Sequence, residues 1–214
     1  MLFSLGGCLL TYLAAVGGRP LQDAAFQATD AALGFDWGQW TAWIRERGWL
    51  RLALRLAYAS LPLQIVTTVL VLSFARVHRR NCELMLAATL ALLVTSVGYA
   101  WLPAMGPFAT VPLPGTLPGD TVYIPHVEAL RSPGPYRFNV ADLQGIIVLP
   151  SYHTVLGVLF VWAHRGLRWS FPAFLVLNMA MLASVPSEGG HYLVDLLAGL
   201  VVALLAVIVA RRLA

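Results

Sequence analysis

The sequence contains no lysine; all 14 of its basic residues are arginine. Charge of either sign is sparse. Only 11% of the 214 residues are charged, roughly half the share of a soluble domain, which excludes an ordinary water-soluble fold. Cysteine is nearly absent. Cys8 and Cys82 lie in or beside apolar runs, so there is no disulfide framework and no metal-ligand spacing. Five histidines are too few for a many-histidine membrane oxidase. No tandem repeat is evident. The first apolar run, residues 2–18, lacks the positive flank of a secretory signal. It reads as a first span, with a signal-anchor as the alternative.

What is present is hydrophobic length. Mean hydropathy is +0.74, and several apolar runs reach the roughly 17–25 residues that cross a bilayer. The expected fold is all-α: a polytopic membrane protein of about six transmembrane helices, forming a single membrane-embedded domain over 1–214. The spans are expected at 2–18, 49–74, 84–103, 146–163, 169–185 and 192–210. Residues 19–48 differ. Asp23, Asp30, Asp36, Arg45 and Glu46 alternate there with Phe26, Phe35, Trp37, Trp40 and Trp43. That pattern predicts interfacial amphipathic helices, with Gly34 between two of them. Residues 106–145 are polar and rich in proline and glycine, and are expected to be an outward-facing loop with a lid or substrate-binding role.

Arginine position sets the topology. The turn after the second span, the turn after the fourth and the C-terminus hold seven arginines and one acid, Glu83. Under the positive-inside rule these are cytoplasmic, in a bacterial-type inner membrane with both termini inside. The net charge of +4 is thereby a topology signal, and no nucleic-acid partner is implied. Arg47, Arg51 and Arg55 recur at helical spacing near the outer end of the second span. They either snorkel to headgroups or turn inward to an anionic substrate.

On this topology His153, His191 and Asp195 reach the same outward, periplasmic face. His191 and Asp195 are four apart, on one helix face. The carboxylate can hold one ring nitrogen and leave the other free. His153 follows Pro150 and Ser151, a helix start with serine as N-cap. Gly189 and Gly190 allow close backbone approach near the last helix, and two facing helix N-termini would cradle an anion. These are the parts of phosphoryl transfer. His191 is assigned as nucleophile, Asp195 as its orienter and His153 as general acid. Ser151, Tyr152, Gly189, Gly190, Arg131 and Arg137 are assigned to substrate and phosphate binding. No metal or other cofactor is expected. Two rivals stand: a metal-dependent hydrolase using the His/His/Asp cluster, and a proton-coupled transporter or lipid-binding protein.

The motifs Pro150-Ser151-Tyr152-His153 and Ser184 through His191 to Asp195 resemble the type 2 phosphatidic acid phosphatase superfamily. The resemblance implies a six-helix membrane core, a phosphohistidine at His191, support from Asp195 and leaving-group protonation by His153. Its substrate would be a lipid phosphate or lipid-linked ester. Two departures are plain. Val185 stands at the arginine position of the third motif, and the lysine-containing first motif is absent. Tyr99 to Pro107, Phe35-Asp36-Trp37, Leu130-Arg131 and Gly189 to Tyr192 are similar to the inositol phosphorylceramide synthase-like branch. That branch implies transfer to an alcohol acceptor such as inositol.

Overall fold

The computed structural model of the chain describes residues 2–137 and 139–213, with side chains from residue 5 onward. The regular elements are helices: α1 (Leu2–Ala15), α2 (Asp23–Ala32), α3 (Trp37–Arg45), α4 (Gly48–Ala59), α5 (Leu61–Phe74), α6 (His78–Trp101), α7 (Pro107–Thr110), α8 (Ile124–Arg131), α9 (Tyr152–Ala163), α10 (Ser170–Gly189) and α11 (Leu193–Leu213). This is the expected all-helical, polytopic architecture.

The span lengths differ from expectation. Among the described residues, three helices, α6, α10 and α11, are long and apolar enough to cross a membrane alone. The segment expected at 49–74 is α4 and α5, bent by 53° at their junction. Pro62 is the reason: it has no N–H to continue the ladder, and it tolerates only the first turn of a new helix. The segment expected at 146–163 is helical only from Tyr152. Residues 146–150 are non-helical and mostly buried. The fifth segment, expected to stop at 185, runs on through Pro186 to Gly189. Its end is secured from outside, because the Trp37 indole N–H donates to the Pro186 carbonyl at 2.7 Å. Gly190 then takes φ +62° and turns the chain out of the helix.

The helices pair closely where side chains are small. Ala87, Ala88 and Ala91 of α6 meet Ala203, Ala206 and Ala210 of α11 in a core shared with Val155, Leu159 and Ala163 of α9. Small residues let helix backbones approach, which is how helices associate in lipid. Deep between α5 and α10, the Asn178 amide donates to Gln64 Oε1 at 2.8 Å. Outward-facing Leu63, Val66, Val97, Val176, Val201 and Leu205 are exposed on the helix flanks, as a lipid-facing surface requires.

The 19–48 region forms the two predicted helices, with Gly34 at φ +76° between them. They pack on protein as well as offering an interfacial face. Asp23 and Asp30, Phe26, Trp37 and Ile44 are buried. The 106–145 segment carries α7 and α8 and folds over the end of the bundle where α6 ends and α9 and α11 begin.

Candidate active site

Two backbone features bring the histidine motifs together. The Ser151 N–H donates to the Asp195 carbonyl at 3.0 Å. Gly199, one helical turn beyond Asp195, presents no side chain where α11 crosses the start of α9. A Cβ there would lie 2.6 Å from the Ser151 carbonyl oxygen. The crossing sets His153, in the first turn of α9, beside His191, in the turn between α10 and α11. The ring centroids are 6.5 Å apart and the planes meet at 62°. At this separation the two rings are near neighbours facing one shared space.

His191 and Asp195 are both buried. Asp195 Oδ2 accepts the Tyr192 N–H at 2.8 Å, the reach-back contact of an acidic residue at the third helical position. The same oxygen lies 3.4 Å from His191 Nδ1, longer than a formed hydrogen bond. His191 Nδ1 and Asp195 Oδ1 are buried without a hydrogen-bond partner. Hydrogen bonds of an active site are often long in the free protein and tighten when substrate binds. Burial pushes the His191 imidazole down to about 4, opposed by a smaller upward pull from the Val148 main chain. At pH 7 it is therefore neutral, with a nitrogen lone pair to offer.

Tyr58 of α4 completes the pair. Its ring stacks on His153 with centroids 4.4 Å apart and planes at 13°. It is also close to the glycine turn: a Cβ on Gly189 would lie 2.9 Å from both the Tyr58 hydroxyl and His191 Cδ2. From this aromatic cluster a cavity of about 500 Å³ extends along α9 past Leu156 to Phe160. Leu61, Ile65 and Val69 of α5 and Leu84, Ala88 and Leu92 of α6 line its opposite walls. His153 to Phe160 spans roughly 10 Å at the helical rise. The cavity joins two imidazoles at one end to a hydrocarbon-like slot at the other.

The remaining assigned residues are placed differently. Ser151 is fully buried, and its Oγ accepts the Thr154 N–H at 3.4 Å as the N-cap of α9. The Tyr152 hydroxyl donates to the Ala88 carbonyl at 3.0 Å, although its ring lines the cavity. Arg131 donates to the Arg19 carbonyl, and Arg137 is exposed on the loop. Among the described residues, no arginine lines the cavity walls, so any cation that meets a phosphate must reach in from the rim. The anion cradle expected at the start of α11 is already filled by carboxylates of the chain. Asp30 accepts the N–H groups of Leu193 at 2.7 Å and Val194 at 3.0 Å, and Asp195 takes that of Tyr192. Asp23 accepts from the Met105 and Gly106 N–H groups and from the Tyr192 hydroxyl. Among the described residues, no three His, Cys, Asp or Glu side chains converge as metal ligands.

A model of the PAP2 superfamily matches residues 24–209, a stretch that contains both histidine motifs. The chain belongs to the PAP2 superfamily. No curated protein and no solved structure matches it. Membership supports phosphatase-type chemistry on lipid phosphates in a membrane. It lends nothing to the inositol phosphorylceramide synthase-like branch in particular.

A PAP2 protein without lysine must draw its positive charge from arginine. Arg51, Leu54, Arg55 and Tyr58 fall at i, i+3, i+4 and i+7 of α4, on one face, and α4 packs extensively on α10. Glu188, three residues before His191, lies in the electrostatic field of Arg55, Arg51 and Arg45 and of Asp120. Arg45 itself is held by Asp120 at 2.9 Å. Tyr58 and Glu188 escaped sequence reasoning. The available signal was the register of Tyr58 with Arg51 and Arg55. Asp23 and Asp30, part of the amphipathic pattern of 19–48, are seven residues apart, and that spacing puts both on the face that meets Tyr192 and the start of α11.

Proposed function

We propose that this PAP2 protein cleaves the phosphoester of a membrane lipid phosphate through a phosphohistidine at His191. A neutral His191 nitrogen attacks phosphorus, and the ester P–O bond breaks. His153, protonated when the phosphate dianion lies beside it, delivers that proton to the leaving oxygen and returns to neutral imidazole. Asp195 orients His191 and offsets the charge that forms on its ring. In the second step the acceptor attacks phosphorus, the P–N bond breaks, and His153 takes the acceptor's proton. The observation that carries this reading is the 6.5 Å spacing of the two imidazoles at the mouth of an apolar slot. The slot suits the hydrocarbon chain of a lipid, and the phosphate would then lie between the rings.

In this reading Arg51 and Arg55 supply the charge around the phosphoryl oxygens, in place of Arg131 and Arg137. The acceptor is water, or an alcohol such as inositol as in the transferase branch. The orientation that accompanies it has the histidines outward and both termini inside.

The test is phosphate release from a lipid phosphate by purified protein in micelles, with and without an alcohol acceptor. His191→Ala is expected to abolish turnover, and His153→Ala to lower it about 10²–10⁴-fold. Vanadate, shaped like the trigonal-bipyramidal state, is expected to inhibit. Full activity in the His191 variant would refute the mechanism. A head-group ester formed only when the alcohol is present would assign transfer rather than hydrolysis.

A further inference from the structure

The helices that carry the histidine pair have their other ends gathered around a second charged feature. The turn between α5 and α6, the end of α9 and the end of α11 enclose a cleft of about 480 Å³. Its walls include Arg76, Arg79, Arg80, Arg165, Arg211 and Glu83. Five guanidinium groups thus face one carboxylate. Glu83 is only 4% exposed and is already engaged, by Arg79 Nε at 3.1 Å and Arg165 Nη2 at 3.0 Å. Arg80 donates to the Arg165 carbonyl, and the Arg165 guanidinium lies 4.2 Å over the Trp162 ring. Arg76 and Arg211 are exposed at the opening.

A topology signal requires only that arginines lie on one side of the membrane. It does not require them to converge from three helix ends on one concavity, with a buried carboxylate bracing two of them. Convergence of like charge is unfavourable unless an anion relieves it. Trp169, in the connection that follows Arg165, is 93% exposed, and exposed tryptophan is favoured at the headgroup level. Glu83 to Tyr99 spans roughly 24 Å of α6 at the helical rise, so the cleft is remote from the histidines.

We propose that this cleft binds the phosphate headgroup of an anionic membrane lipid at a site separate from the histidine pair. Arginine forks accept phosphate oxygens bidentately, and basic pockets between transmembrane helices hold anionic headgroups. The lipid would tie together the ends of α6, α9 and α11. Because it binds the folded form, it would raise thermal stability by mass action. The inference does not rest on the chemistry assigned to His191.

The experiment measures the melting temperature of the full chain in neutral detergent. Phosphatidylglycerol, phosphatidylcholine or inorganic phosphate is titrated at constant ionic strength. Phosphatidylglycerol is expected to raise the melting temperature and phosphatidylcholine to leave it unchanged. The double variant Arg76→Gln/Arg211→Gln is expected to shift the half-saturating phosphatidylglycerol concentration upward roughly tenfold or more, while Arg76→Lys/Arg211→Lys keeps most of the response. Elution as a single species shows that each variant is folded. The proposal is overturned if the Gln variant responds like the parent protein. It is equally overturned if phosphatidylcholine stabilises as well as phosphatidylglycerol, or if inorganic phosphate gives the whole effect.

Discussion

The Tyr58 ring lies nearly parallel to the His153 imidazole, 4.4 Å away centre to centre, so a residue of the bent α4–α5 segment sets the plane of the proposed proton donor. The stacking face matters here more than the hydroxyl. Tyr58→Phe is expected to stay within a few-fold of the parent kcat, because the face is kept. Tyr58→Ala frees the imidazole and is expected to lower kcat up to about 10²-fold, the cost of an ångström-scale misplacement, with little change in KM. Steady-state kinetics on one lipid phosphate reads both. Equal kcat values for the Ala variant and the parent would remove the positioning role.

Arg51 and Arg55 share the α4 face with Tyr58. If they contact phosphoryl oxygens, Arg55→Ala and Arg51→Ala each lose a charge-assisted contact of about 1.5–3 kcal/mol, or roughly 10–100-fold in kcat/KM. Arg131→Ala and Arg137→Ala are expected to change kcat/KM by less than about threefold, a difference under 1 kcal/mol. The reverse ranking would return the phosphate-binding role to the loop.

The pH dependence of stability isolates His191. Its pKa is about 4 in the folded protein against an ordinary 6.5. The unfolded chain therefore takes up this proton first as pH falls. Stability contributed by the neutral buried ring is fully present above about pH 6.5 and drains away between about 6.5 and 4. Melting temperatures of the parent protein and of His191→Gln are expected to diverge across this window, with the parent losing more on acidification. Parallel curves would mean that the ring is not held neutral.

The junction of α9 and α11 tolerates no side chain at Gly199. A methyl group there meets the Ser151 carbonyl oxygen at 2.6 Å. Gly199→Ala is expected to destabilise by about 1–3 kcal/mol, the usual cost of overpacking, and to separate the two histidines. A lower melting temperature together with lower kcat is the predicted pair of results. Unchanged values for both would show that the crossing is not tight.

Asp30 clamps the start of α11 by accepting two of its N–H groups. Asp30→Asn keeps an acceptor but weakens charge-assisted bonds, and is expected to cost about 1 kcal/mol. Asp30→Ala is expected to cost more, because two part-buried N–H groups are left unpaired. Thermal unfolding measures both. Because Asp30 makes no contact with a histidine, KM is expected to be unaffected by Asp30→Asn.

Composition and periodicity by themselves determined the membrane class, the helical fold and the two-helix character of 19–48, and they singled out His153, His191 and Asp195 as candidates that the fold brings close together. These follow from local physics: hydropathy, helical spacing and the cost of burying charge are all written along the chain. The helix limits near Pro62, Pro150 and Pro186 were less legible. A proline marks a bend, an end or a tolerated interior position, and only its tertiary partners choose among them; Trp37 on the Pro186 carbonyl is the case in point. Tertiary structure alone decided that Tyr58 stacks on His153 and that Asp30 takes the N–H groups once assigned to a phosphate. It alone decided that Arg131 and Arg137 stand outside the cavity walls, whereas the shared face of Arg51, Arg55 and Tyr58 is already written in their spacing. Each of these contacts joins residues about 90 to 165 positions apart or depends on which way a helix face turns, and neither separation nor rotation is encoded in any local pattern.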